Sequence, residues 1–349
     1  MLSFGRDYTL SAVDTRLREA GGLAPEVNGD SLLGYPEYLR GNVALIFATL
    51  FAATARAKGG DWDNVSYKDS NQARQLYREE LDSYSRLVDR APDKFRLVHS
   101  TRELDSVLTA WSESEENQTH PPVGLVPLME GGDAICTLDE LPEWWERGVH
   151  IIGPAWMSTR FCGGTREPGP LTKDGHALLD VMADLGFTLD LSHMDWAAAR
   201  QALDVYDGSI IASHANALRL VRDGDSNRFL PDDVIERLVE RDGIIGVVPF
   251  NRFLIQTWKN YDPREACPLQ LAPTASTTAV LALGATIKTD RRTIAADAFF
   301  KGLYQTALQP DEVIYFMARK HPILLAQALI WPALIGLPSA TSTRALAGR

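Results

Sequence analysis

The chain has 349 residues and a formal net charge of −11 at pH 7, with 45% hydrophobic and 23% charged residues. This composition is typical of a globular protein and excludes a disulfide-stapled peptide, a largely disordered chain and a coiled coil. The negative charge disfavours non-specific binding to nucleic acid or anionic lipid. The length exceeds what one small core carries, so we expect one large barrel or two unequal domains.

The cysteines and the apolar segments of the chain indicate the cellular compartment of the protein. Cys136, Cys162 and Cys267 are odd in number, widely spaced and without a CxxC pair, which favours a reducing compartment. The N-terminus has no basic segment followed by an apolar core, so we predict a cytoplasmic protein. The most apolar run, residues 322–338, is short for a membrane span and is interrupted by Pro332, so we expect no membrane helix.

Short β-rich runs alternate with longer helical segments along the first two thirds of the chain, which predicts βα units around a parallel sheet. The predicted strands are 41–50, 123–129, 149–155, 187–191, 209–213 and 244–250. The predicted helices are 71–89, 137–148 with Thr137 as its cap, 172–186, 195–206 and 231–242. Residues 112–122 are polar and end in two prolines, which predicts a surface loop.

The alternation stops near Asp262, where the composition also changes. Residues 265–349 carry eight basic and five acidic residues, although the chain as a whole is acidic. The run APTASTTA at 272–279 is typical of a linker. We therefore predict a βα domain over residues 1–262 and a divergent tail over residues 263–349.

A parallel βα barrel places its reactive side chains at the carboxyl ends of its strands, where the βα loops gather. The residues just beyond the predicted strand ends are Glu130, Trp156, His193, His214 and Asn251. Two histidines and one carboxylate can hold a divalent cation such as Zn²⁺ and leave one position open for water. Such a site can generate hydroxide near neutral pH.

The competing interpretation is structural, because a histidine after a strand is more often a loop or core residue than a ligand. Here two histidines recur in one setting, DLSH at 190–193 and IASH at 211–214, each after a β run and a serine and before a helix. This recurrence favours metal ligands. Glu130, in LMEGG at 128–132, ends an apolar strand, where an unpaired carboxylate would be costly. The glycines after it permit a tight turn.

These motifs, with LTKDGHALLDVMADLGFTLDLSHMD at 171–195 and NRFLPDDVIERLVERDGIIGVV at 227–248, resemble the membrane or renal dipeptidase family, peptidase family M19. The resemblance covers residues 4–262. It implies a TIM-like (β/α)8 barrel of amidohydrolase type that hydrolyses dipeptides at a zinc centre. We therefore expect an α/β protein that acts on dipeptides or similar small peptides.

The resemblance also implies roles for individual residues. The implied metal ligands are Glu130, His193 and His214, with Glu130 bridging the two zinc ions of the family and serving in catalysis. Arg228 matches the family arginine that receives the substrate's carboxylate; the alternative is an ion pair with Asp232 or Asp233. Trp156 stands where the family has a substrate-contacting histidine, and we assign Trp156 and Asn251 to substrate binding.

The sequence departs from the family pattern at both ends of the barrel. The His-x-Asp pair of the family's first strand is not found before Gly41, and the aspartate of its last strand is not found beyond Asn251. The string His193-Met194-Asp195 does not replace that pair, because Asp195 is better interpreted as a helix N-cap. We therefore predict an incomplete barrel lacking the family's strands one and eight, one zinc site, and weakened or absent activity.

Residues 278–314 resemble part of the FAD-binding medium subunit of molybdenum hydroxylases. The glycine-rich phosphate loops of that subunit are not found, so we do not expect FAD binding. Three hypotheses follow: a zinc-dependent dipeptidase, a non-catalytic metal-binding or interaction remnant of that fold, and a flavoprotein fragment. We expect no nucleic-acid or membrane partner, and pairing of two chains, as in many members of the dipeptidase family.

Overall fold

A computed structural model describes residues 4–63, 65–117, 120–220, 226–248 and 253. These residues form an α/β fold around a parallel sheet. Three features of the sequence lie outside the described residues: the candidate Asn251, Cys267 and the tail 263–349. No helix among the described residues combines the length and apolar character that a bilayer crossing requires.

The described residues contain ten strands and nine α-helices. The strands are β1 (Leu45–Leu50), β2 (Ala53–Thr54), β3 (Ser66–Tyr67), β4 (Phe95–Leu97), β5 (Val123–Glu130), β6 (Ile151–Gly153), β7 (Cys162–Gly164), β8 (Glu167–Leu171), β9 (Thr188–Asp190) and β10 (Ile210–Ile211). The helices are α1 (Ala12–Glu19), α2 (Leu23–Asn28), α3 (Tyr35–Arg40), α4 (Ser70–Arg90), α5 (Thr101–Asn117), α6 (Leu141–Glu146), α7 (Lys173–Leu185), α8 (Trp196–Val205) and α9 (Asp232–Glu240).

The main sheet has the order β1-β5-β6-β9-β10, and β4 pairs with the first residues of β5. Every one of these pairings is parallel. Because parallel strands run in one direction, their carboxyl ends lie at the same edge of the sheet. Five of the six predicted strands are therefore present in this sheet, although most are shorter than the predicted runs.

Both faces of the central strands are buried, as expected for a parallel sheet covered by helices. Met129 packs in a cluster that includes Trp144 of α6 and Leu178 of α7. The adjacent Leu128 packs on the opposite face, in a separate cluster with Ile151 and Ile211. Successive side chains of β5 thus alternate between two apolar environments, which explains its unbroken apolar sequence.

Two helices begin at side-chain caps, one of which the sequence predicts. The hydroxyl of Thr172 accepts the backbone N–H of Gly175 at 3.0 Å, and α7 ends at Gly186, which has the left-handed backbone typical of a terminal glycine. The carboxylate of Asp195 accepts the N–H of Ala197 at 3.0 Å. Asp195 is therefore the N-cap of α8, as predicted.

The predicted helix 137–148 is wrong in its first turn. Residues Leu138–Glu140 form a 3-10 turn, Thr137 makes no side-chain cap, and α6 begins at Leu141 with Pro142 in its first turn. A helix capped at Thr137 would bury the proline ring in its interior, where it clashes with the preceding turn. The chain therefore restarts the helix next to the proline.

The predicted loop 112–122 is wrong in its first half, because α5 continues to Asn117. Ser112 and Ser114 donate their hydroxyls to carbonyls three residues back, both at 2.8 Å, which lets polar residues remain helical. The indole N–H of Trp111 donates to the carbonyl of Pro122 at 2.8 Å and ties the helix to the start of β5.

The predicted strand 244–250 is reduced, within the described residues, to a parallel bridge between Ile245 and Ala212. Beyond it, the side-chain amide of Asn216 bonds both backbone groups of Val248, at 2.8 and 3.0 Å. A side chain thus replaces a neighbouring strand at this point. Ile245 extends the sheet order past β10, in the direction that the alternation predicts.

Candidate metal centre

Three of the predicted site residues meet at the carboxyl edge of the sheet. Glu130 is the last residue of β5, and His193 and His214 each follow a strand by three residues, β9 and β10 respectively. Glu130 Oε1 lies 3.0 Å from His193 Nε2 and 3.2 Å from His214 Nε2. The three side chains offer one ligand atom each, and all three atoms lie within 4.8 Å of one another.

The group is largely buried, and the pKa shifts of His193 and Glu130 favour metal binding. Burial, followed by the positive charge of Arg228, lowers the pKa of His193 to about 3, so this imidazole is neutral at pH 7. Burial raises the pKa of Glu130, but its interactions with His214 and His193 outweigh burial and hold that pKa well below its ordinary value. A neutral imidazole and an ionised carboxylate bind divalent cations without first losing a proton.

The turn after β5 fixes Glu130. The hydroxyl of Tyr77 donates to the carbonyl of Glu130 at 2.8 Å, and the N–H of Gly131 donates to the carbonyl of Gly153 at 2.9 Å. Gly131 has a φ of 99°, a conformation that favours glycine. The tight turn predicted from LMEGG is therefore present, and it directs the carboxylate toward the histidines.

His193 occupies an unusual backbone conformation, with a φ of 68°. A non-glycine residue in the left-handed region costs about 1–3 kcal/mol and persists where its surroundings enforce it. Its Nδ1 lies 2.9 Å from the hydroxyl of Thr165, in the turn between β7 and β8, and the adjacent Met194 forms an isolated bridge with Gly164. The β7–β8 hairpin therefore holds His193 in place.

His214 is held by the residues that precede the two histidines. Its Nδ1 lies 2.7 Å from Ser213 Oγ, and its backbone N–H donates to Ser192 Oγ at 3.0 Å. The carboxylate of Asp190, which is 1% exposed, accepts the N–H groups of Ser192 and Ser213 at 2.9 and 2.8 Å and the Ser213 hydroxyl. The two loops are thus joined beneath the histidines.

Arg228 lies beside this group and is 7% exposed. Its guanidinium lies 5.3 Å from the ring centre of Phe253, and its charge acts on His193. The neighbouring Asn227 donates to Gly164 O at 2.8 Å and to Asp195 at 3.0 Å, and so fastens this segment to the β7–β8 hairpin. The ion pairs formed by Asp232 and Asp233 are with Arg219 and Arg200.

Trp156 contributes a partly exposed aromatic wall. Its ring centre lies 6.2 Å from that of His193 and 4.9 Å from that of Phe51, which follows β1. The backbone N–H of Phe51 donates to Glu80 at 2.6 Å, and burial raises the pKa of Glu80 to about 8. Aromatic side chains therefore border the candidate metal centre on the side of β1.

Sequence reasoning did not identify Thr165, Asp190 or Asn227 as parts of the site. Asp190 lies within the recognised DLSH string, so its position in that motif was an available signal. Thr165 and Asn227 carried no such signal, because each reaches the centre through the β7–β8 hairpin, which no sequence pattern predicted.

A parallel α/β fold with a carboxylate and two histidines at its strand ends defines a class of metal-binding proteins. Consistent with this, the family model described as membrane dipeptidase (peptidase family M19) matches residues 23–295. The chain belongs to the membrane dipeptidase family. The match extends past Asp262 and includes the beginning of the 278–314 segment, so it lends no support to the flavoprotein resemblance there. The domain boundary near residue 262 stays a prediction.

Curated relatives include dipeptidase tcpJ of Claviceps purpurea, which is 23% identical over 75% of this chain and 56% of its own length. Dipeptidase aclJ of Aspergillus oryzae is 34% identical over 62% of this chain and 49% of its own length. An uncharacterized protein in the PQQ-III 3′ region of Acinetobacter calcoaceticus is 24% identical over 52% of this chain and 62% of its own length. The chain thus spans between 41% and 62% of the length of these and similar curated relatives.

Two solved structures share the fold. A metallo peptidase from Rhodobacter sphaeroides, bound to a phosphinate mimic of the dipeptide L-Ala-D-Ala, has a TM-score of 0.59 at 19% identity and covers 86% of this chain and 98% of its own. The dipeptidase AC of family M19 has a TM-score of 0.53 at 22% identity and covers 66% of this chain and 67% of its own.

Proposed function

We propose that this protein is a zinc-dependent hydrolase that cleaves dipeptides. The observation that carries the proposal is the buried convergence of Glu130, His193 and His214, whose ligand atoms lie within 4.8 Å of one another. Membership of the membrane dipeptidase family and the dipeptidase names of several relatives support the substrate class.

The residues present fit one Zn²⁺ ion. Two imidazole nitrogens and a carboxylate oxygen are ordinary zinc ligands, and three protein ligands leave a position for water or substrate. A bound divalent cation at this position would supply Lewis acidity to a substrate carbonyl and lower the pKa of a water molecule. Glu130 contributes the negative charge of the group, and the two histidines contribute ring nitrogens directed by their loops.

Arg228 and Trp156 would position the substrate. A buried guanidinium offers a two-pronged site for a carboxylate, which suits the C-terminus of a dipeptide. The Trp156 ring, packed on Phe51, would form an apolar wall where the family has a polar histidine. Asn251, which lies outside the described residues, remains a proposed substrate contact from its position in the sequence alone.

We propose weak activity for the chain by itself, at a single zinc site. Within the described residues, Glu130, His193 and His214 form the one set of three side chains with metal-ligand spacing. The same observation favours a second function, a non-catalytic metal-binding remnant that binds a partner. We further propose a cytoplasmic location, consistent with the free thiols of Cys136 and Cys162, and pairing of two chains.

The role of Arg228 predicts a preference for free carboxylates. With Zn²⁺ added, the wild-type protein should bind a dipeptide more tightly than the same dipeptide with a C-terminal amide. Replacing Arg228 by methionine should weaken binding of the free dipeptide about 10–100-fold, because hydrogen bonds to a charged group contribute about 1.5–3 kcal/mol, and leave the amide nearly unaffected. Calorimetry measures both affinities even if turnover is slow.

Arg219→Met is the matched control, because Arg219 is an exposed arginine of the 3-10 turn Leu218–Leu220 and pairs with Asp232. It should bind both ligands as the wild type does. An Arg228→Met variant that still prefers the free dipeptide would contradict the assignment. Hydrolysis of the dipeptide by zinc-loaded wild type, measured in parallel, separates the enzyme from the non-catalytic remnant.

A further inference from the structure

The two serines that precede the histidines complete a hydrogen-bonded chain from Asp190 to His214. Asp190 Oδ1 accepts the N–H groups of Ser192 and Ser213, and Asp190 Oδ2 is bonded to the Ser213 hydroxyl. Ser213 Oγ then lies 2.7 Å from His214 Nδ1 and 3.3 Å from Ser192 Oγ. All four residues are at most 2% exposed, so water does not compete for these bonds.

The chemistry of the groups sets the direction of each hydrogen bond. A carboxylate has no hydrogen to donate, so the Ser213 hydroxyl donates its one hydrogen to Asp190. Ser213 Oγ can then only accept from its other neighbours. The hydrogen between Ser213 and His214 must therefore belong to Nδ1 of the imidazole, and the hydrogen between the two serines to Ser192.

We propose that Asp190, acting through Ser213, is a positioning residue that fixes His214 with its hydrogen on Nδ1 and the lone pair of Nε2 directed at the metal position. This inference rests on the proposed zinc site, where Nε2 lies 3.2 Å from Glu130 Oε1. A metal-binding imidazole commonly donates its other N–H to a carboxylate or carbonyl, which fixes the tautomer. Here a serine hydroxyl stands between the imidazole and the carboxylate.

The tautomer of His214 decides whether Nε2 can act as a ligand. With the hydrogen held on Nδ1, Nε2 presents its lone pair 3.2 Å from Glu130 Oε1, so a cation would bind both atoms as ligands. If the hydrogen moved to Nε2, His214 would donate a hydrogen bond to Glu130, and Nε2 would have no lone pair to bind a metal ion. The Asp190–Ser213 pair opposes that movement.

The test measures which ring nitrogen of His214 carries the hydrogen in metal-free protein near neutral pH. The nitrogen chemical shifts of protein with ¹⁵N-labelled histidines report this tautomer, and a His214→Gln variant identifies the signals of His214. Wild type should carry the hydrogen on Nδ1. In Asp190→Asn, the backbone N–H groups of Ser192 and Ser213 still require an acceptor, so the amide oxygen takes the Oδ1 position. The side-chain NH₂ group then lies at the Oδ2 position and donates to the Ser213 hydroxyl. Ser213 then donates to Nδ1, and the hydrogen of His214 should move to Nε2.

Zinc affinity provides the second readout. Asp190→Asn and Ser213→Ala should each lower it about 10–100-fold, the usual effect of losing an outer partner of a ligand. Ser112→Ala is the matched control, because it removes a serine hydroxyl that bonds to a carbonyl within α5, and it should change both the tautomer and the affinity little. If Asp190→Asn fails to fold, Ser213→Ala provides the same test. Without the Ser213 hydroxyl, Nδ1 has lost its acceptor, so the hydrogen of His214 should move to Nε2 and be donated to the Glu130 carboxylate.

The inference is overturned if wild-type His214 already carries its hydrogen on Nε2. It is equally overturned if Ser213→Ala folds and keeps the wild-type tautomer and zinc affinity. The tautomer is measured without metal and without substrate. A wild-type protein that bound no zinc would therefore refute the proposed function. The tautomer of His214 would still test the positioning role of Asp190.

Discussion

Replacing Glu130 by glutamine is expected to lower the affinity for Zn²⁺ by about 100-fold or more while the chain stays folded. The substitution keeps the shape of the side chain but removes the negative charge that attracts the cation, and 100-fold in affinity corresponds to about 2.8 kcal/mol. In the metal-free protein the amide can still contact the histidines, so the chain should stay folded, with a lower unfolding transition because the favourable interactions of the carboxylate with the histidines are lost. Competition with a chromophoric chelator measures the affinity.

Glu236→Gln, at an exposed position of α9, removes the same charge away from the site and serves as the control. It should bind Zn²⁺ as the wild type does. Equal affinity in wild type and Glu130→Gln would mean that the ion binds elsewhere, and the assignment of Glu130 as a ligand would be wrong.

Replacing Gly175 by alanine is expected to destabilise the protein, although helix propensity alone predicts a gain of about 1 kcal/mol. An alanine Cβ at this position of α7 would lie 2.1 Å from the carbonyl oxygen of Phe161. That oxygen accepts the N–H of Thr172 at 2.9 Å, so the contact cannot open without breaking the start of the helix. Overpacking of this kind costs about 1–3 kcal/mol, and we expect that loss in the free energy of unfolding.

Gly169→Ala provides the comparison in denaturant unfolding. A Cβ there would meet its nearest atoms at 3.6 and 3.8 Å, which is ordinary contact, so its effect should stay within about 0.5 kcal/mol. A Gly175→Ala protein more stable than wild type would show that α7 does not pack against Phe161 as described.

The sequence predicted the sheet and the meeting of the three candidate ligands because both depend on local patterns. Each central strand is an apolar run between helices, and the residue types after β5, β9 and β10 are read directly at the strand ends. The parallel arrangement then requires Glu130, His193 and His214 to lie at one edge. No long-range information is needed for this step.

The supporting residues required the structure. Residues 162–171, CGGTREPGPL, are rich in glycine and proline and show no apolar alternation, so nothing in them predicts the β7–β8 hairpin that delivers Thr165 to His193. The start of α6 at Leu141 was also not predictable from one local rule. Thr137 is a favourable N-cap residue, but Pro142 is accepted only in the first turn of a helix, so the helix begins next to the proline. Short-range signals compete, and tertiary packing decides between them.

The zinc content of the folded wild-type protein, measured per chain after dialysis against metal-free buffer, tests the central claim most directly. One tightly bound Zn²⁺ per chain is the predicted result, because Glu130, His193 and His214 are the one candidate set of ligands among the residues that the structure describes. A protein that retained no zinc, or that retained two ions per chain, would contradict the account.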